Sequence, residues 1–515
     1  MSDTLVSPTL LLAVVLGYFA LLIGVSYLTS GRGDSQAFFT AGKSSPWYLV
    51  AWGMIGASLS GVTFVSVPGV VGAGGLNQQF SYMQVVLGYL LGYAAIALVL
   101  LPLYYRLGLT TIYGYLEGRL GRWSYHTASA FFILSRVIGA SFRLYLVAIV
   151  LDAFVLGPLG VPFAATVAVT LALIYLYTFR GGIQTVVYTD TLQTLAMLMA
   201  VGIAVYSITD ALGDGLGEVA SVIRGADLGQ VFFFEGGWTD DNNFFKQFFG
   251  GALLTVVMTG LDQDMMQKNL TCRSLRDAQK NMGSLAVLLV PINALFLALG
   301  ALLYVYLGQV GLDVPERADQ VFPTVALGLL PPLAGVTFVV GLIAAAYSSA
   351  DSALTSLTTT FCVDFLGFRQ NDGADERVRR RTRSLVHVGF AAVLFVVIIV
   401  FYLISDDSVI NSLFWAANLT YGPLLGLFAF GLFTRRKVRD PLVAPVCVLA
   451  PLLSYVIDAR SEVWFGGFKF GFLLLALNGL ITFAGLLAIS STPKERSVGR
   501  GEPTDLDRFA ELESA

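Results

Sequence analysis

Polar and apolar positions follow one another in this chain on the scale of whole helices: long apolar stretches are separated by short polar gaps. About thirteen stretches are long enough to cross a hydrocarbon core of ~30 Å as α-helices. A helix satisfies the backbone polar groups of such a stretch without any partner segment. The pattern therefore predicts an all-α polytopic membrane protein with spans near Thr9–Tyr27, Trp47–Ala73, Tyr82–Tyr104, His126–Val155, Pro162–Phe179, Tyr188–Ile208, Phe244–Met266, Leu285–Leu307, Leu333–Cys362, Leu385–Ile404, Leu413–Phe433, Pro441–Ile457 and Gly467–Ile489.

Lys and Arg cluster in every second gap. The gaps that follow the odd-numbered spans hold most of the 31 basic residues. The opposite gaps hold only Arg224, Lys246, Arg317, Arg460 and Lys469. Because basic residues are retained on the cytoplasmic side of a membrane, the N-terminus is predicted outside and the C-terminus inside. An odd number of spans agrees with that orientation.

Composition narrows the class of protein. The chain has 515 residues, of which 56% are hydrophobic and 13% charged, and its mean hydropathy is +0.75. These values predict one membrane domain over residues 1–489, followed by a disordered cytoplasmic tail over 490–515. No basic arm or zinc-ligand spacing indicates a nucleic-acid partner. The lipid bilayer and a small solute are the expected partners.

The ninth span carries small and hydroxyl side chains on one face. Ala345, Ser348, Ser349 and Ser352 follow the i, i+3, i+4, i+7 spacing of a helix. Hydroxyl and carbonyl oxygens are ligands of the hard type that Na⁺ prefers. The alternative is a packing stripe whose serines bond their own backbone. That alternative does not explain Asp351 beside this face near mid-membrane, so an ion site is favoured.

The second span predicts an interrupted helix. Glycines and hydroxyl residues crowd Gly53–Thr63, and Pro68-Gly69 follows. Breaks of this kind are tolerated where the freed carbonyls line a cavity, and those carbonyls can coordinate a cation. A kinked but continuous helix packed on a neighbour is the alternative.

Three further charged residues lie in spans. Arg136 and Arg143, seven residues apart, share one face of the fourth span. Arg136 is ~15 Å from the inner end and needs a partner, either a protein carboxylate or an anionic substrate. Arg143 is expected to reach the outer interface by extending its side chain. Asp190 opens the sixth span, where a carboxylate complements the helix dipole, and beside the serine face it becomes a second ion ligand.

Five segments together resemble the sodium:solute symporter family. They are Gly56–Gly69, Arg180–Gln193, Thr259–Gln267, Ala345–Ser352 and Gly422–Arg435. Each segment alone is a weak signal, but their order and positions among thirteen spans are specific. The resemblance implies a LeuT-like fold, in which spans two to six and seven to eleven form inverted repeats (about 47–208 and 244–433). It also implies that the first span of each repeat is broken, with one extra helix before the repeats and two after them.

The resemblance also implies where cations bind. The main Na⁺ site would use backbone oxygens of the second span and oxygens of the ninth span: Gly56, Leu59, Ala345, Ser348 and Ser349. A second cation site would involve Asp190, Ser348, Asp351 and Ser352. Asp351 replaces what is commonly a small residue, and that change would either strengthen a second cation site or introduce a proton-binding group.

Substrate residues are implied in the same way, and they are Ser60, Thr63, Tyr82, Gln84, Arg136, Asn418 and Tyr421. Relatives that transport sialic acid place an arginine like Arg136 on the substrate carboxylate. Relatives that transport sugars carry Gln and Glu where this chain has Thr63 and Met83, which counts against a hexose.

The predicted function is Na⁺-coupled symport of a small organic solute by alternating access. The solute is expected to carry a carboxylate, as an amino acid, sialic acid or another organic anion does, and a sugar or other neutral solute is the alternative. A membrane sensor, a channel and a polytopic enzyme are the rivals from other classes. The two isolated residues His126 and His387 and the lack of a Cys/His cluster disfavour the enzyme. A single chain in the plasma membrane is expected to suffice for transport.

Overall fold

The computed structural model describes residues 6–29, 38–39, 41–213, 215–368, 375–404 and 409–492. Almost all secondary structure in these residues is helical. The main helices are α1 (Pro8–Thr29), α2 (Trp47–Ser58), α3 (Gly61–Val70), α4 (Tyr82–Arg106), α5 (Arg122–Leu159), α6 (Phe163–Thr178), α7 (Gly182–Leu212), α8 (Phe244–Gly260), α9 (Gln263–Asn269), α10 (Leu275–Val310), α11 (Pro332–Phe365), α12 (Glu376–Ile404), α13 (Ser412–Phe433), α14 (Asp440–Ala459) and α15 (Gly471–Ala488). Two short strands, β1 (Lys437–Val438) and β2 (Ser490–Ser491), pair antiparallel.

The helices match the predicted spans one for one. In the described part of the chain, ten helices are long and apolar enough to cross a membrane, and the bent pairs α2–α3 and α8–α9 raise the number to twelve. The shorter apolar helix α6 corresponds to the fifth predicted span. The all-α polytopic class is therefore confirmed, with thirteen as an approximate count. The predicted C-terminal tail lies outside the described residues from position 493 onward.

The two breaks lie at equivalent places in the chain. α2 and α3 meet at 53° across Leu59 and Ser60, and α8 and α9 meet at 68° across Leu261 and Asp262. The second span is thus an interrupted helix, not a continuous kinked one. Each break is in the first span of a set of five, as two inverted repeats require.

Protein groups satisfy the polar backbone at the second break. The Tyr104 hydroxyl donates to the Gly260 carbonyl (2.8 Å), and the Tyr113 hydroxyl donates to the Leu261 carbonyl (3.0 Å). The Asp262 carboxylate accepts hydrogen bonds from the first amides of α9 and so caps that helix. Non-helical backbone is stable at this depth only because such partners replace the missing helical bonds.

Helix α11 lies at the centre of the bundle. Of its most apolar stretch, 78% is buried, compared with 17% for α12 and 22% for α14. Its neighbours include α1, α2, α3, α5 and α7. Small side chains let neighbouring backbones approach closely in a membrane, which explains why the Ala- and Ser-rich ninth span occupies the middle.

Candidate sodium and substrate sites

The break between α2 and α3 lies against α7 and α11. A Cβ atom at Gly56 would meet Thr194 Oγ1 at 2.2 Å and Ser348 Oγ at 3.4 Å, and one at Gly61 would meet the Ala346 backbone at 3.7 Å. Only glycine permits such an approach at position 56. The last carbonyls of α2 have no helical partner in a following turn, so they are available to another group.

Two hydroxyls of α11 have no partner of their own. Ser349 Oγ and Ser352 Oγ are buried and make no hydrogen bond within the part of the chain that the structure describes. A buried polar group left unpaired costs about 1–3 kcal/mol. Both hydroxyls lie on the same helix as Ala345 and Ser348, and unpaired hydroxyl oxygens are of the kind that can coordinate a monovalent cation.

Asp190 already has a cationic partner. Its carboxylate forms an ion pair with Lys268 Nζ at 2.7 Å and accepts a hydrogen bond from Ser348 Oγ at 2.7 Å. Asp190 and Lys268 are both almost completely buried. The charge pattern of the sequence assigned Lys268 to a basic gap on the cytoplasmic side and gave it no role in a site.

Asp351 is a second buried carboxylate nearby, on α11. Its Oδ2 accepts a hydrogen bond from the Tyr177 hydroxyl at 3.0 Å. In their ionised forms, Asp190, Asp351 and Lys268 carry a net charge of −1. This cluster therefore lacks one positive charge, which a single monovalent cation or a proton would supply.

A cavity of about 90 Å³ opens beside the first break. Four of the predicted substrate residues line it, together with Leu59 from the break itself: Ser60, Thr63, Tyr82 and Arg136. Tyr421 lines a smaller adjoining cavity of about 10 Å³, to which Arg136 also contributes. The structure thus brings five of the seven predicted substrate residues together.

Gln84 and Asn418 line neither cavity. Gln84 Nε2 donates to the Asn242 carbonyl (2.9 Å) and to Gln247 Oε1 (2.8 Å), and its Oε1 accepts from the Phe233 amide (3.1 Å). Gln84 therefore fixes the connection between α7 and α8 onto α4. Asn418 donates to the Gly471 carbonyl at 3.2 Å. The side chains of these two residues therefore hold neighbouring segments together and lie away from the cavities.

Arg136 has protein carboxylates as partners. Its guanidinium donates to Asp264 Oδ2 and lies 3.9 Å from Asp262 Oδ2, and the Tyr421 hydroxyl donates to Asp262. Of the two partners that the sequence left open, the protein carboxylate is the one present. Sequence reasoning missed Asp262 and Asp264, although two carboxylates in an apolar segment indicated a buried counter-charge.

Arg143 does not extend to the outer interface, so that prediction is wrong. Only 7% of its surface is exposed, and it lines both cavities. Its Nε atom has no hydrogen-bond partner among the described residues. Arg136 and Arg143 face the same space because seven residues correspond to about two helical turns.

The sequence of this chain is similar to those of known proteins. The sequence profile of the sodium:solute symporter family matches residues 38–440. The sodium/sialic acid symporter NanT of Aliivibrio fischeri is 26% identical over 475 residues, covering 89% of this chain and 90% of the relative. The human sodium/iodide cotransporter is 24% identical, covering 81% of this chain and 65% of the relative.

Solved structures show the same fold. A substrate-bound, outward-open Na⁺-coupled sialic acid symporter superposes with a TM-score of 0.77 at 22% identity, covering 93% of this chain and 97% of that one. A nucleobase-cation-symport-1 transporter in a closed conformation superposes with a TM-score of 0.52 at 14% identity. The LeuT-like fold class is confirmed, and the family consists of sodium-coupled transporters, not enzymes. With more than half of its length matched by the family profile, the chain belongs to the sodium:solute symporter family.

Proposed function

We propose that the protein is a Na⁺-coupled secondary active symporter that imports a small carboxylate-bearing solute. One observation carries the proposal: the broken α2–α3 pair meets the hydroxyl face of α11 directly beside a cavity that two arginines line. In coupled transport, ion and solute must favour the same conformational change. A cation site and an anion site at one helix break would respond to the same movement. The relatives named as sodium/sialic acid symporters support the same class of solute.

In the proposed cycle, Na⁺ from outside joins α2 and α11 through Gly56, Leu59, Ala345, Ser348 and Ser349. This contact stabilises the outward-open state, in which the cavity is complete. Solute binding then favours closure, and the inward-facing state releases both into a low-sodium cytoplasm. The membrane potential contributes about 2.3 kcal/mol per charge per 100 mV. Each ligand needs only to bind the two states with different affinity.

The second cation is proposed to bind near Asp351 and Ser352. Lys268 already neutralises Asp190, so Asp190 would act by orienting Ser348. Asp351 has only a hydroxyl donor from Tyr177 as a side-chain partner among the described residues, and the unpaired Ser352 hydroxyl is next to it in sequence. Either Na⁺ or a proton would balance the charge there.

The proposed solute site comprises Ser60, Thr63, Tyr82, Arg136 and Tyr421. The proposed setting is the plasma membrane, with the N-terminus outside and the C-terminus in the cytoplasm. A monomer in the lipid bilayer is proposed to carry out transport. The sidedness of Lys and Arg supports this orientation.

Uptake into proteoliposomes tests the coupling. Purified protein is reconstituted, and uptake of radiolabelled carboxylates is followed with and without an inward Na⁺ gradient, with glucose as the neutral comparison. We expect uptake of a carboxylate only when the gradient is present. Equal rates under the two conditions would refute sodium coupling.

The double variant Ser348→Ala/Ser349→Ala tests the main sodium site. It removes two hydroxyl ligands, each a hydrogen-bonding group worth about 1 kcal/mol or more, so the Na⁺ concentration for half-maximal uptake should rise at least about tenfold. Ser454→Ala in α14 is the matched control, because that buried serine only donates to the Ala450 carbonyl of its own helix. An unchanged sodium dependence in the double variant would contradict the site.

A further inference from the structure

We propose that Arg143, and not Arg136, binds the carboxylate of the transported solute. This inference rests on the proposed symport function and names the residue that selects an anion. Both arginines lie on α5 and line the same cavity. They differ in what else surrounds them.

The charge of Arg136 is already balanced. It donates to Asp264 and lies 3.9 Å from Asp262, whose carboxylate also accepts from Tyr421. A solute carboxylate approaching Arg136 would meet two carboxylates of the same charge. Replacing one of them would also break a buried ion pair, which is costly. Arg136 therefore fixes α9 to α5 and positions the wall of the cavity.

Arg143 has no directly paired carboxylate in the described part of the chain. Asp262 and Asp264 act on its charge only at longer range, and both already contact or flank Arg136. The Nε of Arg143 has no hydrogen-bond partner among these residues, and 7% of its surface is exposed. A buried guanidinium without a directly paired counter-charge is unfavourable. The guanidinium borders both cavities, so an anion in that space would supply the missing counter-charge.

The walls around Arg143 favour an anion and not a cation. None of the described residues that line the two cavities is Asp or Glu. Hydroxyl groups surround the larger cavity, among them Ser58, Ser60, Tyr89 and Thr259. Because a guanidinium presents two parallel N–H groups to a carboxylate, the chemistry fits a small organic acid with one carboxylate and several hydroxyl or other polar groups.

The test compares binding by Arg143 and Arg136 variants. Wild type, Arg143→Met, Arg143→Lys and Arg136→Lys are purified in detergent. Ligand-induced shifts in melting temperature are measured in NaCl and in choline chloride. The probes are N-acetylneuraminate, gluconate, lactate and proline, with iodide as an inorganic anion and glucose as a neutral solute. Affinity for the acid with the largest shift is then measured by titration.

We expect Arg143→Met to lose on the order of 100-fold in affinity for that acid, the effect of two charge-assisted hydrogen bonds. Arg143→Lys should recover part of the loss, and Arg136→Lys should lose less than Arg143→Met. Stabilisation of Arg143→Met by NaCl alone should match wild type, which shows that the variant is folded and keeps its sodium site.

Other results of the binding test would contradict either the role of Arg143 or the proposed symport. If Arg136→Lys loses the acid and Arg143→Met retains it, this inference fails while the proposed symport stands. If iodide alone binds through Arg143, the solute is an inorganic anion and the organic-acid class fails. The proposed function itself fails if glucose is the only probe that binds. It also fails if NaCl stabilises neither wild type nor any variant.

Discussion

At the scale of single residues, two buried basic side chains are paired directly with carboxylates and a third is not. Arg136 has Asp264 as its partner, and Lys268 has Asp190. Each pair is almost completely buried, so the loss of one member would leave the other as an isolated charge in a medium of low polarity. Arg143 lacks such a partner among the described residues. The two arginines of α5 therefore differ in what their removal does to folding.

Arg136→Met should lower the free energy of unfolding by about 3–5 kcal/mol, because Asp264 and Asp262 are then left without a counter-charge. The melting temperature in detergent is the measurement. Arg143→Met is the matched control on the same helix, and it should lose less stability, since it breaks no direct ion pair among the described residues. Equal losses of stability in the two variants would show that Arg136 is not held by its carboxylates as described.

At the scale of elements, the break between α2 and α3 determines how close the backbone comes to α7 and α11. The accumulation of Gly and hydroxyl residues over Gly53–Thr63 predicted an interruption, and the structure places it at Leu59 and Ser60. The family resemblance implied that the break would meet the ninth span, but the local residue pattern alone did not show which neighbours it would face. That depends on how three helices rotate against one another, and small rotations decide which atoms meet.

Gly56→Ala should disrupt this element contact. Its Cβ would lie 2.2 Å from Thr194 Oγ1. Either the Thr194 hydroxyl rotates and loses its hydrogen bonds to the Trp52 and Asp190 carbonyls, or α2 moves away from α7 with its carbonyls. We expect Na⁺ affinity to fall at least about tenfold, the effect of ~1.4 kcal/mol, measured by sodium-dependent uptake. Gly202→Ala in α7, where no atom lies within 4 Å of the added Cβ, is the control. Wild-type sodium affinity in Gly56→Ala would be incompatible with the close approach.

At the scale of the whole molecule, the distribution of positive charge predicts orientation. The segment Arg435–Arg439 before α14 is basic, whereas the connection between α14 and α15 holds few basic residues. Lys437 precedes α14 and Glu462 follows it, and both residues are exposed. Because one helix of about membrane length separates them, they are predicted to face opposite compartments.

Single cysteine variants check the orientation. In intact cells, Glu462→Cys should react with a membrane-impermeant maleimide, and Lys437→Cys should react only after permeabilisation. The native protein is the control for background labelling, and little is expected, because Cys272, Cys362 and Cys447 are buried and burial raises the pKa of the Cys272 thiol to about 12. The reverse labelling pattern would place the N-terminus inside.

By itself the sequence determined the all-α class, the positions of the spans, the interrupted second span and the small hydroxyl face of the ninth. These properties depend on hydropathy, glycine content and helical spacing, which are local along the chain. Only the tertiary structure decided which charges pair. Arg136 and Asp264 are 128 residues apart in sequence, and no periodicity links them. Arg143 is left facing the cavity, whereas Gln84 and Asn418 bond neighbouring segments and lie away from it. Such side-chain partners are set by the packing of whole helices.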